Sequence, residues 1–347
     1  MKKYQFTFIY SLPILVFYAF NQTGWTTFLP ILFYFGVVPI LELLINPDHS
    51  NASKELSQKM KNDPFYDWII FLIIPIHISL LVYFLFIIKD IPFNTVDYWG
   101  RIANMGLMCG VIGINLGHEL GHRKKRAVQF LGEILLLTSL NTHFLPYHNA
   151  GHHLNVATPR DSATAKKNEI LFLFWFTSHF GSYIEAWKIE NDRMKREEKS
   201  IFSFNNRMII YTIANLVLLT SIYLAFGTYV LIAYIFSAII GILLLETINY
   251  IEHYGLLRKK NKINKYEKVK HCHSWNSDHL LGRFLLFNLS RHSDHHYNGS
   301  KKYQLLNSVA TSPQMPTGYP GMMILALFQP AWFFIMNKEL SKLKDNG

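Results

Sequence analysis

Residues 229–253 read YVLIAYIFSAIIGILLLETINYIEH. An apolar run of this length is what a helix needs to cross the roughly 30 Å hydrocarbon core of a bilayer. The run ends on Glu252-His253, so it sets an imidazole where a membrane helix meets the aqueous side. Upstream, five more stretches carry the same signal, at about 5–21, 26–45, 67–88, 102–117 and 208–226. Pro30, Pro39 and Pro75 lie inside these stretches, a placement that membrane helices tolerate better than soluble ones. The pattern predicts an all-α integral membrane protein with about six transmembrane helices, counting 229–250 as the sixth.

Charge sets the orientation. The chain has 347 residues, 34 of them Lys or Arg, and a net charge of +11. With residues 21–25, 89–101 and 227–228 outside, the outer segments hold only Lys89 and Arg101. This is the positive-inside pattern and predicts a multi-pass protein of the inner or plasma membrane, both termini cytoplasmic. The basic excess is thus a matter of topology; no basic stripe with interleaved aromatics marks a nucleic-acid surface. Two cysteines, Cys109 and Cys272, give no disulfide framework. The N-terminal run lacks a small-residue cleavage site and reads as a retained first helix.

The organisation follows. Residues 1–117 carry spans one to four, with a polar inner loop at 46–66. Residues 118–207 form a cytoplasmic region whose apolar pieces, 127–141 and 170–187, suit an interfacial position, followed by a charged, solvated helix at 189–200. Residues 208–250 form spans five and six, turning at Gly227-Thr228, and residues 251–347 form a second cytoplasmic region, with a buried or interfacial helix at 322–336.

Chemistry concentrates in four short clusters: His118-Glu-Leu-Gly-His122, His148-Asn-Ala-Gly-His152-His153, Glu252-His253 and Arg291-His292-Ser-Asp-His295-His296. Neutral imidazole is a strong ligand for iron, zinc, copper and nickel. Nine imidazoles exceed what one zinc takes and point to two metals. His-Glu-x-x-His also marks zinc peptidases, but that reading leaves six histidines unused. At i, i+4 spacing, His118 pairs with His122 and His148 with His152; at i, i+3, His292 pairs with His295. Adjacent His153 and His296 then reach a second metal. Because all four clusters follow an even number of spans, they face one compartment. An all-imidazole set leaves ferrous centres strongly cationic, so carboxylates are expected beside them: Glu119, Glu252 and Asp294 first, Asp161 and Asp278 next. His49, His77, His143, His179, His271, His273 and His279 stand outside the set; His271, His273 and His279 line the entrance or the surface.

Further motifs carry a resemblance: Asn249-Tyr-Ile-Glu-His-Tyr-Gly-Leu256, His273-Ser-Trp-Asn-Ser277, Arg291-His-Ser-Asp-His-His296 and Gly318-Tyr-Pro-Gly-Met322. Over residues 100–322 the chain resembles the AlkB-type integral-membrane alkane monooxygenases, relatives of membrane fatty-acid desaturases, hydroxylases and xylene monooxygenase. It departs from that pattern at Tyr147, where Glu is expected, at Ser290, where Gln is expected, and at Arg123, where Lys is usual. The resemblance implies two non-haem irons in a cytoplasmic His-rich cap, held by His118, His122, His148, His152, His153, His253, His292, His295 and His296 and divided about four and five. It implies terminal hydroxylation: R-CH3, O2, two electrons and two protons give R-CH2OH and water. With no Cys-x-x-Cys and no Gly-x-Gly-x-x-Gly in the chain, the electrons must come from another protein; the family implies rubredoxin with its reductase. Arg123-Lys-Lys-Arg126 and Arg258-Lys-Lys260 are candidate docking patches, although topology and anionic lipid also account for them. Two other readings stay open: another membrane di-iron lipid enzyme, which would yield an alkene, an internal alcohol or a benzylic alcohol, and a metal transporter or sensor, which would yield no oxygen-dependent product.

Overall fold

The computed structural model describes residues 3–345, and its architecture is helical, with only isolated β-bridges among the described residues. A 3-10 segment, Lys3–Tyr10, leads into α1 (Ser11–Phe20). Then come α2 (Gly24–Leu44) and α3 (Phe65–Ile88). α4 runs through Val96–Met108, a π-helical Cys109–Ile114 and Asn115–Gly121. α5 is Arg126–Thr138 and α6 is Leu171–Arg196. α7, Arg207–His253, is broken by Gly227 at φ 80° and ψ 177°. α8 (Tyr319–Leu327) and α9 (Gln329–Asp345) close the chain. Three of these helices, α2, α3 and α7, are long and apolar enough to cross a membrane. The expected first and fourth spans coincide with Lys3–Phe20 and with part of α4, which extends beyond 102–117 at both ends.

Local signals explain the helix starts. Thr95 Oγ1 accepts from Tyr98 N, and Asn206 Oδ1 from Met208 N, capping α4 and α7. Gly227 takes a left-handed φ that favours glycine, and there the chain reverses. Tyr211 on the first limb of α7 reaches Glu133, Tyr229 after the break bonds Ile91 O, and His253 returns to the end where Tyr211 began.

The connections sort to two ends. Arg101 Nη2 donates to Gln22 O at 2.9 Å and Tyr83 bonds Asn21, so the 21–24 and 89–101 segments meet beside the Gly227 turn. All four histidine clusters lie at the opposite end. Helices in lipid gain little from apolar contact alone, so close packing through small residues matters. A Cβ on Gly241 of α7 would lie 2.7 Å from Cys109 Cβ and 2.9 Å from Gly110 N of α4. This approach brings the helix ending at His118 alongside the one ending at His253. Toward the imidazoles, Gly117 and Gly132 do the same for α4 and α5.

α6 turns Phe172, Phe176 and Phe180 outward, then becomes charged, the amphipathic form of a helix at a bilayer surface. α9 locks behind α7, with Trp332 packed on Tyr250 and Tyr254 at 5.2 and 5.3 Å between ring centres.

Candidate di-metal centre

The nine histidines converge. His118, His122, His148, His153 and His295 form one group, and His152, His253, His292 and His296 a second. Within each, ligand atoms lie within 4.8 Å of one another. The rings meet through Nε2: 3.0 Å for His118–His295, 3.1 Å for His118–His122 and 3.0 Å for His148–His153 in the first group. In the second the separations are 2.9 Å for His292–His296, 3.1 Å for His152–His296 and 3.2 Å for His253–His292.

Membership follows the local helix type. His118 and His122 share a group at i, i+4, as the spacing predicts. His148 pairs with His153 rather than His152, because residues 148–152 form a π turn that brings i and i+5 into register. His292 pairs with His296 at i, i+4, leaving His295 for the other group. The pairs His148–His152 and His292–His295 read from the sequence are therefore each split between the two groups.

Behind the rings, Asp161 Oδ2 lies 3.0 Å from His152 Nδ1 and Tyr147 donates to Asp161 Oδ1 at 2.5 Å. Burial pushes the Asp161 carboxyl up, but His152, Thr164 and Tyr147 outweigh it and hold the group at about 2. A carboxylate on Nδ1 fixes the tautomer that leaves Nε2 free as a donor. Glu252 stands on the donor side instead: Oε2 is 3.0 Å from His292 Nε2, while Oε1 accepts from Tyr319. Glu119 turns away onto Arg123 and Tyr303 N, Asp294 onto Lys301 and Asn307 N, and Asp278 onto Arg291 and His49.

Burial, reinforced by neighbouring imidazoles, holds His148, His292, His295 and His296 well below the usual histidine range. They are neutral near pH 7, the form that ligates metal.

The Trp275-Asn276 loop ties the clusters together. Trp275 N donates to Glu252 O, its indole to Tyr254 O, and Asn276 Oδ1 accepts from Ser293 N. This links the end of α7 to His292–Tyr297. Of the other histidines, His77 pairs with Thr138 between helices, His273 with Lys270 N and Glu267, and His279 with Ser277; none joins either group.

A narrow apolar cavity runs up to these groups. Leu107, Val111 and Ile114 of α4 face Leu244 and Ile248 of α7 across it, while His118, His148, His292 and Glu252 line its metal end.

The model of the fatty acid desaturase family matches residues 98–326. The chain belongs to the fatty acid desaturase family. Within it, the chain is 35% identical to alkane 1-monooxygenase 1 of Alcanivorax borkumensis and 34% identical to alkane 1-monooxygenase of Ectopseudomonas oleovorans. Each match covers 92% of this chain and 80% of the relative. It is also 28% identical to the xylene/toluene monooxygenase hydroxylase component of Pseudomonas putida, over 71% of this chain and 64% of that one. The chain thus sits with the alkane 1-monooxygenases in the desaturase family. Its donor set fits the metal site of such a protein: donors about 2.1 Å from a shared ion and at right angles to one another stand about 3.0 Å apart, the spacing found here.

Proposed function

We propose that this membrane protein is an alkane 1-monooxygenase that hydroxylates the terminal methyl of alkanes or alkyl chains. The observation that carries the reading is an apolar cavity ending on two converging imidazole groups. The nine histidines hold two irons, five rings on one and four on the other, with Glu252 placed as an oxygen donor to the second. When bound, the irons supply activation of O2 with two electrons.

The chain's own residues do the rest. A methyl group has no polar handle, so the slot between α4 and α7 presents the substrate end first and excludes water. Asp161 keeps His152 in the ligating tautomer. Six helical limbs cross the membrane: Lys3–Phe20, α2, α3, α4 and both limbs of α7. The loop ends near Gln22, Ile91 and Gly227 lie outside, and the imidazole cap and both termini are cytoplasmic. The positive-inside distribution supports this orientation.

Electrons enter from a rubredoxin-type donor served by its reductase. His122 and His153 are the two ligands that are not fully buried. Beside His122 lies a cleft with six cationic side chains, Lys61, Arg123, Lys124, Lys125, Lys301 and Lys302, against the one carboxylate of Asp67. An acidic donor docks there with its redox centre toward the five-imidazole group.

The test is purified protein with ferrous iron, a rubredoxin system, labelled O2 and a substrate panel of alkanes, fatty acids and toluene. The reading predicts one labelled oxygen in a 1-alkanol. An alkene, an internal alcohol or oxidation of toluene alone would replace it.

A further inference from the structure

α7 buries one carboxyl among its lipid-depth residues. Glu246 lies two turns before His253 and is 2% exposed. No lysine or arginine contacts it among the described residues; its partners are Ser178, Asn249 and His179. A buried intramembrane carboxyl with no cation beside it is costly, and such groups commonly serve a function. Glu246 belongs to neither imidazole group, although His152 acts on it electrostatically, so it is not placed as a metal ligand.

Its two oxygens face different ways. Oε2 accepts from Ser178 Oγ at 2.5 Å and from Asn249 Nδ2 at 3.1 Å. Asn249 lines the apolar cavity. Oε1 faces His179 Nδ1 at 3.8 Å, and that nitrogen is buried without another partner. The His179 side chain is itself 25% exposed, on the amphipathic α6. A line of polar groups therefore runs from the surface at His179, through Glu246, to the cavity wall at Asn249, through otherwise apolar helices.

Resting on the proposed monooxygenase reading, we infer that Glu246 and His179 form a proton entry to the cavity, separate from the electron-entry cleft beside His122. The reaction takes up two protons per turnover, and the slot that holds the alkane is lined by hydrocarbon. His179 takes a proton from interfacial water at Nε2, closes the 3.8 Å gap and passes its Nδ1 proton to Glu246 Oε1, and the neutral ring then resets its tautomer. Glu246 releases it to a water at the polar, metal end of the cavity, on its Asn249 side and outside the apolar stretch that holds the alkyl chain. Asn249 and Ser178 hold the carboxyl in place through Oε2 and carry no proton themselves. No electron moves in this step; each proton that leaves Glu246 is replaced through His179.

The experiment uses the full chain in nanodiscs. In metal-free protein, infrared difference spectra on exchange from H2O to D2O report a protonated carboxyl band. The inference predicts a band that Glu246→Gln removes and whose exchange His179→Phe slows at least ten-fold. In iron-loaded protein with saturating donor, Glu246→Gln keeps both accepted hydrogen bonds. It should lower kcat at least ten-fold and raise the solvent deuterium isotope effect, with alkane KM and iron content unchanged; Glu246→Asp should recover part of kcat. Wild-type kcat and isotope effect in Glu246→Gln would overturn the inference, as would an absent band. So would a loss of iron that accounts for the lost rate, since that marks a structural role. If wild-type protein makes no alkanol, the monooxygenase reading fails while the infrared result still reports on Glu246.

Discussion

Tyr147 and Asp161 share a hydrogen bond of 2.5 Å, and the other oxygen of Asp161 holds His152 Nδ1 at 3.0 Å. Tyr147 stands where the resemblance leads one to expect Glu. A second carboxylate here would face Asp161 directly, whereas the phenol donates to it. Asp161→Asn should cost about 10–100-fold in iron affinity, read by competition with a chelator. Tyr147→Phe should cost less, and Tyr147→Glu more than Tyr147→Phe, because it sets like charges together. Equal affinity across the series would remove this chain of contacts from the site.

Arg291 and Asp278 fix the last histidine cluster from behind. Arg291 Nε donates to Asp278 Oδ1 at 2.8 Å, and its other nitrogens bond Asp48 O, Ser50 O and Leu306 O. Both side chains are buried. Asp278→Ala leaves a guanidinium without its counter-charge, a loss of about 3–5 kcal/mol. The expected result is a lowered melting temperature together with lost iron, because His292, His295 and His296 follow Arg291 directly. Melting unchanged from wild type would contradict it.

The nine histidines were legible because their clusters survive as linear patterns, and the fold gathers all four clusters at one end. Pairing was legible only for His118 and His122. For His148 it depends on a π turn at 148–152, which shifts the facing residue from i+4 to i+5 and has no signature in residue identity; for His292 it depends on which of two adjacent imidazoles, His295 or His296, the helix turns toward it. Carboxylates were misleading for a related reason. Neighbours on a helix point about 100° apart, so Glu119 beside His118 faces Arg123, and Asp294 faces Lys301. Asp161, nine residues from His152, reaches it only through the fold of the 156–164 loop. Glu252 also neighbours a ligand, yet it meets His292 from another element. Spans one and four were harder to bound, because a 3-10 segment leads into the former and glycines with polar residues dilute the latter.

Leu107 lies roughly 16 Å along α4 from His118, at about 1.5 Å per residue, and lines the cavity far from its metal end. Leu107→Trp should shorten the longest n-alkane oxidised while leaving short chains turned over at near wild-type rates. Leu107→Ala should lengthen it. Product chain-length profiles read this; a profile unchanged in both variants would place the end of the slot elsewhere.

Glu190 on α6 ties that helix to the start of α7. It is fully buried and bonds Arg193 and Arg207. Burial raises its carboxyl, but the two guanidiniums prevail and hold it at about 2. A carboxyl depressed by folding stabilises above its unfolded pKa, about 4.3, and that contribution is lost as pH falls toward 2. Glu190→Gln should therefore melt below wild type at neutral pH, with the difference narrowing from about pH 4 downward. A pH-independent difference would show that charge is not what Glu190 contributes.

Iron stoichiometry with X-ray absorption on the loaded protein tests the two-metal centre most directly. The account predicts two irons per chain in nitrogen-dominated shells, with one lost in His253→Ala and correct membrane insertion retained. One metal per chain in the wild type, or two irons with an unchanged spectrum in His253→Ala, would contradict it.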